Sequence, residues 1–226
     1  IARVSREAPV FILRHDETTT MPGSAANAAA NVASLGGTPI VIGVTGNDVN
    51  GKLLLGSLTH NRVPISDIIS DDSFSTTTKL RVLAGQPHAV HQQVIRIDYE
   101  YQAGISDAVR HQLIENISVC AQGADAIIVS DYDYGVADTT VFDTALKIAT
   151  SRDIPIVVDS RFRLREFPGA TAATPNQEEV EQILGKDFTS SQVQRLCMEL
   201  GYQALLVTNG NKGMQLFELD KDVLQI

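Results

Sequence analysis

At 226 residues and 24.4 kDa, with 43% apolar and 20% charged residues, the chain has enough material for one substantial core and none of the bias of a disordered segment. Its formal charge of −9 excludes the broadly basic surface that nonspecific nucleic-acid binding requires. No apolar run approaches the roughly 18 residues of a membrane-spanning helix, so neither nucleic acid nor membrane is an expected partner.

The first residues, Ile1 to Glu7, lack the hydrophobic region of a signal peptide. The chain therefore reads as a cytoplasmic protein, and its start at Ile1 rather than Met leads us to expect further sequence upstream. Cys120 and Cys197 both fall in apolar helical patterns and read as buried thiols in a reducing compartment rather than as a disulfide or a metal site.

Along the chain, the first strong feature is Pro22-Gly23-Ser24-Ala25-Ala26-Asn27, which runs into an alanine-rich stretch ending at Gly36-Gly37. Gly23 permits a turn, Ser24 can cap, and Asn27 falls beside the free N–H groups of a helix start. By itself this is equally a well-packed capped helix without a ligand.

A strand is expected at Pro39–Val44 and a helix from about Val49 to Asn61 with Asp48 as its cap. Segments 8–14, 76–83 and 90–98 are β-rich and read as a small separate sheet, with Gly85–His88 as a hairpin turn. Such a sheet could cover a cleft as a lid, with Lys79, Arg81, Arg96 and Asp98 facing a ligand, or those charges could form a solvated face.

Beyond it, Ala124–Asp131, Ile154–Asp159 and Ala204–Thr208 are short apolar runs tipped by a polar residue, as buried parallel strands are. Helical segments at about 107–121, 138–151, 177–185 and 190–200 alternate with them. This rhythm predicts an α/β fold, a three-layer α/β/α sheet with a small β lid, over 1–226 as a single domain. Ligands of such sheets bind outside the carboxyl ends of the strands, where Asp131, Asp159 and Thr208 fall.

Two further patterns lie near those strand ends. Asn176 and Glu179, after Thr174-Pro175, make either a capping box or, with Asp159, a set of oxygens around a hydrated magnesium ion. Thr208-Asn209-Gly210-Asn211-Lys212-Gly213 is either a hairpin turn or a glycine loop whose N–H groups approach phosphate.

Taken in order, these motifs resemble the PfkB/ribokinase family of small-molecule kinases, and within it the heptose-phosphate kinases. The likeness includes the runs Arg3–Val10, Thr77–Leu83, Ile95–Asp98, Ser130-Asp131-Tyr132, Gly135, Thr174-Pro175-Asn176 and Leu206-Val207-Thr208. It implies an ATP- and Mg2+-dependent transfer of a γ-phosphoryl group to a hydroxyl of a sugar or sugar phosphate, with a heptose-7-phosphate-like acceptor.

In family terms Gly23, Asn27, Lys79, Arg81, Arg96, Asp98 and Asp131 would contact the sugar. Asn176, Thr208, Gly210 and Gly213 would contact the nucleotide, and Glu179 and Asp159 would organise the metal. The catalytic carboxylate of the family is expected beyond Ile226, so the catalytic residue is unassigned and the isolated 226 residues are expected to be inactive.

The chain departs from the family pattern at three places. Ser24 stands where a second glycine is usual, Asp133-Tyr134 where the heptose kinases show a small residue and lysine, and Ser160-Arg161 where Pro-Lys is more usual. Alternatives are a kinase of another sugar or nucleoside, a noncatalytic sugar- or nucleotide-binding module, and a scaffold that forms a homodimer through its lid strands.

Overall fold

The computed structural model describes residues 3–4, 11–85, 91–100 and 104–226. The elements, in chain order, are β1 (Arg3–Val4), β2 (Phe11–Ile12), α1 (Ser24–Ser34), β3 (Gly43–Gly46), α2 (Val49–His60), β4 (Ile68–Asp71), β5 (Thr78–Ala84) and β6 (Gln92–Tyr99). There follow α3 (Asp107–Cys120), β7 (Ile127–Asp131), α4 (Thr139–Arg152), β8 (Ile156–Ser160), β9 (Ala172–Ala173), α5 (Gln177–Leu184), α6 (Ser190–Leu200), β10 (Ala204–Thr208), β11 (Met214–Glu218) and β12 (Leu224–Gln225). No helix among the described residues is long and apolar enough to cross a membrane.

The main sheet has six strands in the order β12-β11-β10-β9-β8-β7. β7 to β10 are mutually parallel, and β11 and β12 are added antiparallel as hairpins. The parallel part follows from the chain itself: α4 links β7 to β8, and α5 and α6 intervene before β10, the crossovers parallel strands require. β3 pairs with β4 in parallel, and β5 with β6 antiparallel, as separate two-stranded sheets.

Register divides the main sheet into two faces. Val129, Val158, Ala173, Leu205 and Phe217 are cross-strand neighbours on one face, and the last four are at most 1% exposed. Around them pack Phe142 and Ala145 of α4, Val193 and Leu196 of α6, and Phe167, whose ring meets Phe142 edge-on at 5.1 Å. The opposite face, carrying Ile128, Val157, Ala172 and Leu206, is only partly covered; Ile128 is 55% exposed.

α1 and α2 share a smaller cluster of Ala29, Leu58 and Val63. The cysteines are both free: Cys197 is buried in α6 and Cys120 is half-buried at the end of α3.

Several expectations shift. The strand expected at Pro39–Val44 forms later, at Gly43–Gly46, because it pairs with β4, a strand not foreseen at Ile68–Asp71. Of the segment 8–14, residues 8–10 lie outside the described residues. Phe11–Ile12 pairs with Arg3–Val4 rather than with the lid. The lid strands are Thr78–Ala84 and Gln92–Tyr99, and most of the expected turn at Gly85–His88 lies outside the described residues.

Asp48 does more than cap α2. Its Oδ1 accepts from Gly51 N at 2.7 Å, and its Oδ2 accepts from Thr76 N at 2.8 Å. The buried Thr76 hydroxyl in turn accepts from Gly46 N at 2.9 Å and meets the Thr45 hydroxyl at 3.0 Å. Gly46 and Gly51 are obligatory here, since a Cβ on either would lie within 2.4 Å of a carbonyl oxygen. One carboxylate thus ties a helix start to the root of the lid. Asp48→Ala is expected to cost about 1–3 kcal/mol in urea unfolding and Asp48→Asn less, because an amide oxygen keeps one of the two bonds; equal loss in both would refute this.

Candidate functional site

The strand ends present two different surfaces because alternate residues of a strand face opposite ways. Asp131 is paired with Ser160 on the buried face, whereas Asp159 is paired with Ser130 on the other. Asp131 and Asp159 therefore belong to different environments although both tip adjacent strands.

On the buried face Asp131 is saturated. Its side chain is 1% exposed and receives Arg163 Nη2 at 2.5 Å, Arg163 Nε at 3.2 Å, the Ser160 hydroxyl at 2.8 Å and Asp133 N at 3.1 Å. Arg163 also donates to Ala137 O at 3.0 Å and lies over the Phe167 ring. Asp131, expected at the sugar, has its oxygens committed to a charge-assisted network that anchors the loop after β7.

On the open face lies a cavity of about 330 Å3 lined by Asp131, Tyr132, Asp159, Arg161, Thr174, Asn176, Glu179 and Thr208. Asn176 and Thr208 form a parallel bridge, and Thr208 N donates to Pro175 O at 3.0 Å, so the start of α5 is held against the end of β10. Asn176 Oδ1 accepts from Glu179 N at 2.9 Å while Glu179 Oε2 accepts from Asn176 N at 2.8 Å. This is a complete capping box, and the same two residues line the cavity.

The electrostatics of the cavity favour a cation. Burial pushes the Asp159 carboxyl above its ordinary value, opposed by the hydrogen bond from Tyr132 and helped by the Asp131 charge. Glu179 is likewise raised, first by burial and further by Asp159. Burial also raises Tyr132, whose hydroxyl lies 3.5 Å from Asp159 Oδ2.

Two desolvated carboxylates in one cavity are stabilised by a shared positive charge. Among the described residues no group of three or more His, Cys, Asp or Glu could hold a metal directly. Two carboxylates and an amide fit a magnesium ion that keeps most of its waters, the usual state of that ion.

Arg161 lines the same cavity, with its guanidinium 5.0 Å from the Phe162 ring centre. In the sequence it stood out only as a departure from the family pattern and had no assigned role. Its signal was its position two residues past Asp159.

The other expected residues are placed as follows. Gly210 and Gly213 lie in the β10–β11 hairpin turn, with positive φ of 57° and 88°, and do not line the cavity; of that motif only Thr208 does. Gly23 and Asn27 open α1, which packs on β7. Ser24 is not the cap of that helix. Gly23 is, and Ser24 is its first residue with φ of 52°.

Lys79, Arg81, Arg96 and Asp98 share one face of the lid, through the register Lys79↔Asp98 and Arg81↔Arg96. Lys79 is bound by Asp98 at 3.4 Å and by Glu100 at 3.2 Å, and Arg96 chelates Asp98 at 2.6 and 2.7 Å. The Arg96 fork holds the Asp98 carboxyl down at about 2. Of the three cations only Arg81 has no ion-pair partner among the described residues.

An α/β domain with a strand-end cavity and a two-stranded lid is the architecture of ribokinase-like proteins. The ribokinase of Arabidopsis thaliana complexed with ribose and ATP superposes with a TM-score of 0.66 at 20% identity, over 90% of this chain and 65% of that one. Phosphofructokinase-2 from Escherichia coli in complex with potassium gives 0.72 at 19% identity, over 97% and 71%.

The family described as pfkB family carbohydrate kinase matches residues 3–226, and the chain belongs to it. It is 35% identical to the D-beta-D-heptose 7-phosphate kinase of Bordetella bronchiseptica, over 96% of this chain and 68% of that protein. It is also 35% identical to the bifunctional protein HldE of Koribacter versatilis, over 99% of this chain and 46% of that protein. The chain thus spans about half the length of several curated relatives it matches.

Ser24 makes the family departure physical, because a non-glycine residue at φ of 52° costs about 1–2 kcal/mol. No atom lies within 4 Å of a Cβ built on the neighbouring Gly23, so nothing else crowds this turn. Ser24→Gly is expected to raise the thermal midpoint through relief of that strain, less the entropy a glycine adds to the unfolded chain. A lowered midpoint in calorimetry would show that the hydroxyl stabilises the turn instead.

Proposed function

We propose that the protein containing this chain is an ATP- and Mg2+-dependent kinase that transfers the γ-phosphoryl group to a hydroxyl of a sugar phosphate, with a heptose 7-phosphate as the acceptor. The observation that carries this reading is the cavity in which the Asn176–Glu179 capping box, Asp159 and Thr208 meet at the carboxyl ends of the strands. The relative named as a D-beta-D-heptose 7-phosphate kinase favours the acceptor.

In this reading Asp159 and Glu179 hold the waters of a magnesium ion, which neutralises phosphate charge when bound. Asn176 and the N–H groups of the first turn of α5 face the polyphosphate, where the helix dipole favours an anion. Thr208 offers a hydroxyl, and Arg161 a guanidinium, to phosphate oxygens. Asn27 and Gly23 present the acceptor side, with the lid excluding water that would hydrolyse ATP.

Asp131 is bound by Arg163, and no carboxylate among the described residues is assigned the catalytic base. On the full-length protein, ADP release should depend on both Mg2+ and a sugar phosphate. Glu179→Gln should lower kcat/KM by about 10–100-fold, as the loss of an outer-shell metal partner does. ADP release without any sugar dependence would overturn the reading.

A homodimer through the lid strands is the accompanying reading, and a specific observation favours it. The lid face opposite the charges carries Leu80, Val82, Ile95, Ile97 and Tyr99, of which Leu80, Ile95, Ile97 and Tyr99 are 41–53% exposed. An apolar two-stranded sheet exposed in this way is a surface for pairing. Ile97→Lys should convert a dimer to a monomer in light scattering; a protein that is monomeric before substitution at micromolar concentration would dismiss the interface.

A further inference from the structure

The loop between β7 and α4 is fixed at both ends. At its start Asp131 accepts from Asp133 N, and Arg163 bridges from Asp131 to Ala137 O. At its end Asp138 caps α4, accepting from Val141 N at 2.9 Å, and pairs with Arg110 Nε at 2.6 Å. Asp133 and Gly135 take left-handed backbone, φ of 62° and 77°. A Cβ on Gly135 would lie 3.2 Å from Gly104 Cα.

Between these anchors Tyr134 reaches the lid. Its hydroxyl accepts from Lys79 Nζ at 3.3 Å and donates to Glu100 Oε1 at 3.0 Å, and Lys79 Nζ lies 6.0 Å from the ring centre. Lys79 and Glu100 also bind each other at 3.2 Å, which closes a three-membered ring of donors and acceptors.

Partial burial lowers the Lys79 pKa, but the bonds from Tyr134 and Glu100 outweigh it and the net shift is upward. Glu100 is lowered, first by the Tyr134 hydroxyl and then by Lys79. Lys79, Arg96, Asp98 and Glu100 sum to zero charge. This ring of alternating donors and acceptors suits sugar hydroxyls, which both donate and accept, while Arg81 on the same face keeps one unpaired positive charge among the described residues.

We propose that Tyr134 is a positioning residue for the acceptor: anchored by the Asp131–Arg163 pair, its hydroxyl holds Lys79 and Glu100 of the lid root in the geometry that receives the acceptor's hydroxyl groups. The inference rests on the kinase reading for its substrate and on the hydrogen-bond ring for its mechanism. Tyr134 does not touch the reacting atoms; it acts through Lys79 and Glu100.

The test is Tyr134→Phe in the full-length protein, which keeps the ring and deletes two hydrogen bonds. The KM for the sugar phosphate turned over by the parent protein should rise about three- to tenfold while the KM for ATP stays within twofold. Backbone hydrogen exchange in residues 78–84 and 92–99 should quicken in the variant, and the exchange of β8 and β10 should not change.

An unchanged acceptor KM, an equal rise in the ATP KM, or unaltered lid exchange would overturn the proposal. If the parent protein phosphorylates no sugar or sugar phosphate, the kinase reading fails, and the exchange measurement alone then decides whether Tyr134 holds the lid root.

Discussion

The ion pair between Asp131 and Arg163 is the constraint on which the strand-end region turns. Removing two charges from water costs several kcal/mol each, and the pair survives because every lone pair facing the interior is met: by the guanidinium fork, by Ser160 and by the Asp133 amide. Its consequence is geometric. The chain leaving β7 is held in one conformation, from which Tyr132 is directed to the carboxylate cavity and Tyr134 to the lid. A single buried node thus sets the positions of two side chains that serve different regions.

Strand alternation gives this node and the cavity different surroundings, although Asp131 also lines the cavity and its charge helps raise Asp159. Asp131 and Asp159 are on neighbouring strands, yet the pleat sends one into the core and the other to the less covered face. The buried carboxylate has a full-strength partner and stays fixed. The cavity carboxylates, Asp159 and Glu179, have no ion-pair partner among the described residues, and burial raises both.

The α5 start joins a helix cap and a cavity wall in one motif. Asn176 and Glu179 satisfy each other's backbone amides, so the helix begins at a defined residue, and the same side chains line the cavity. Capping and ligand binding are commonly weighed as alternatives for an N-x-x-E pattern. Here the cap is what makes the cavity wall rigid. The lid follows a comparable division, with period-two alternation putting ion pairs on one face and Leu80, Ile95 and Ile97 on the other.

The helices at 107–120, 139–152, 177–184 and 190–200 and the strands at 127–131, 156–160 and 204–208 were legible to within a few residues, since local periodicity and caps determine them. Family membership was legible too, from the order of the motifs. β4 and the two-residue β9 were not, because they exist only through pairing with strands distant in sequence.

Nor could sequence separate Asp131 from Asp159, or show that Lys79 and Arg96 are already paired. Both depend on register and on which residues of remote segments come within hydrogen-bond reach. Composition, period and motif order are properties of the chain by itself; the protonation bias of each carboxylate and the partner of each cation arise only when tertiary packing removes water and sets the distances.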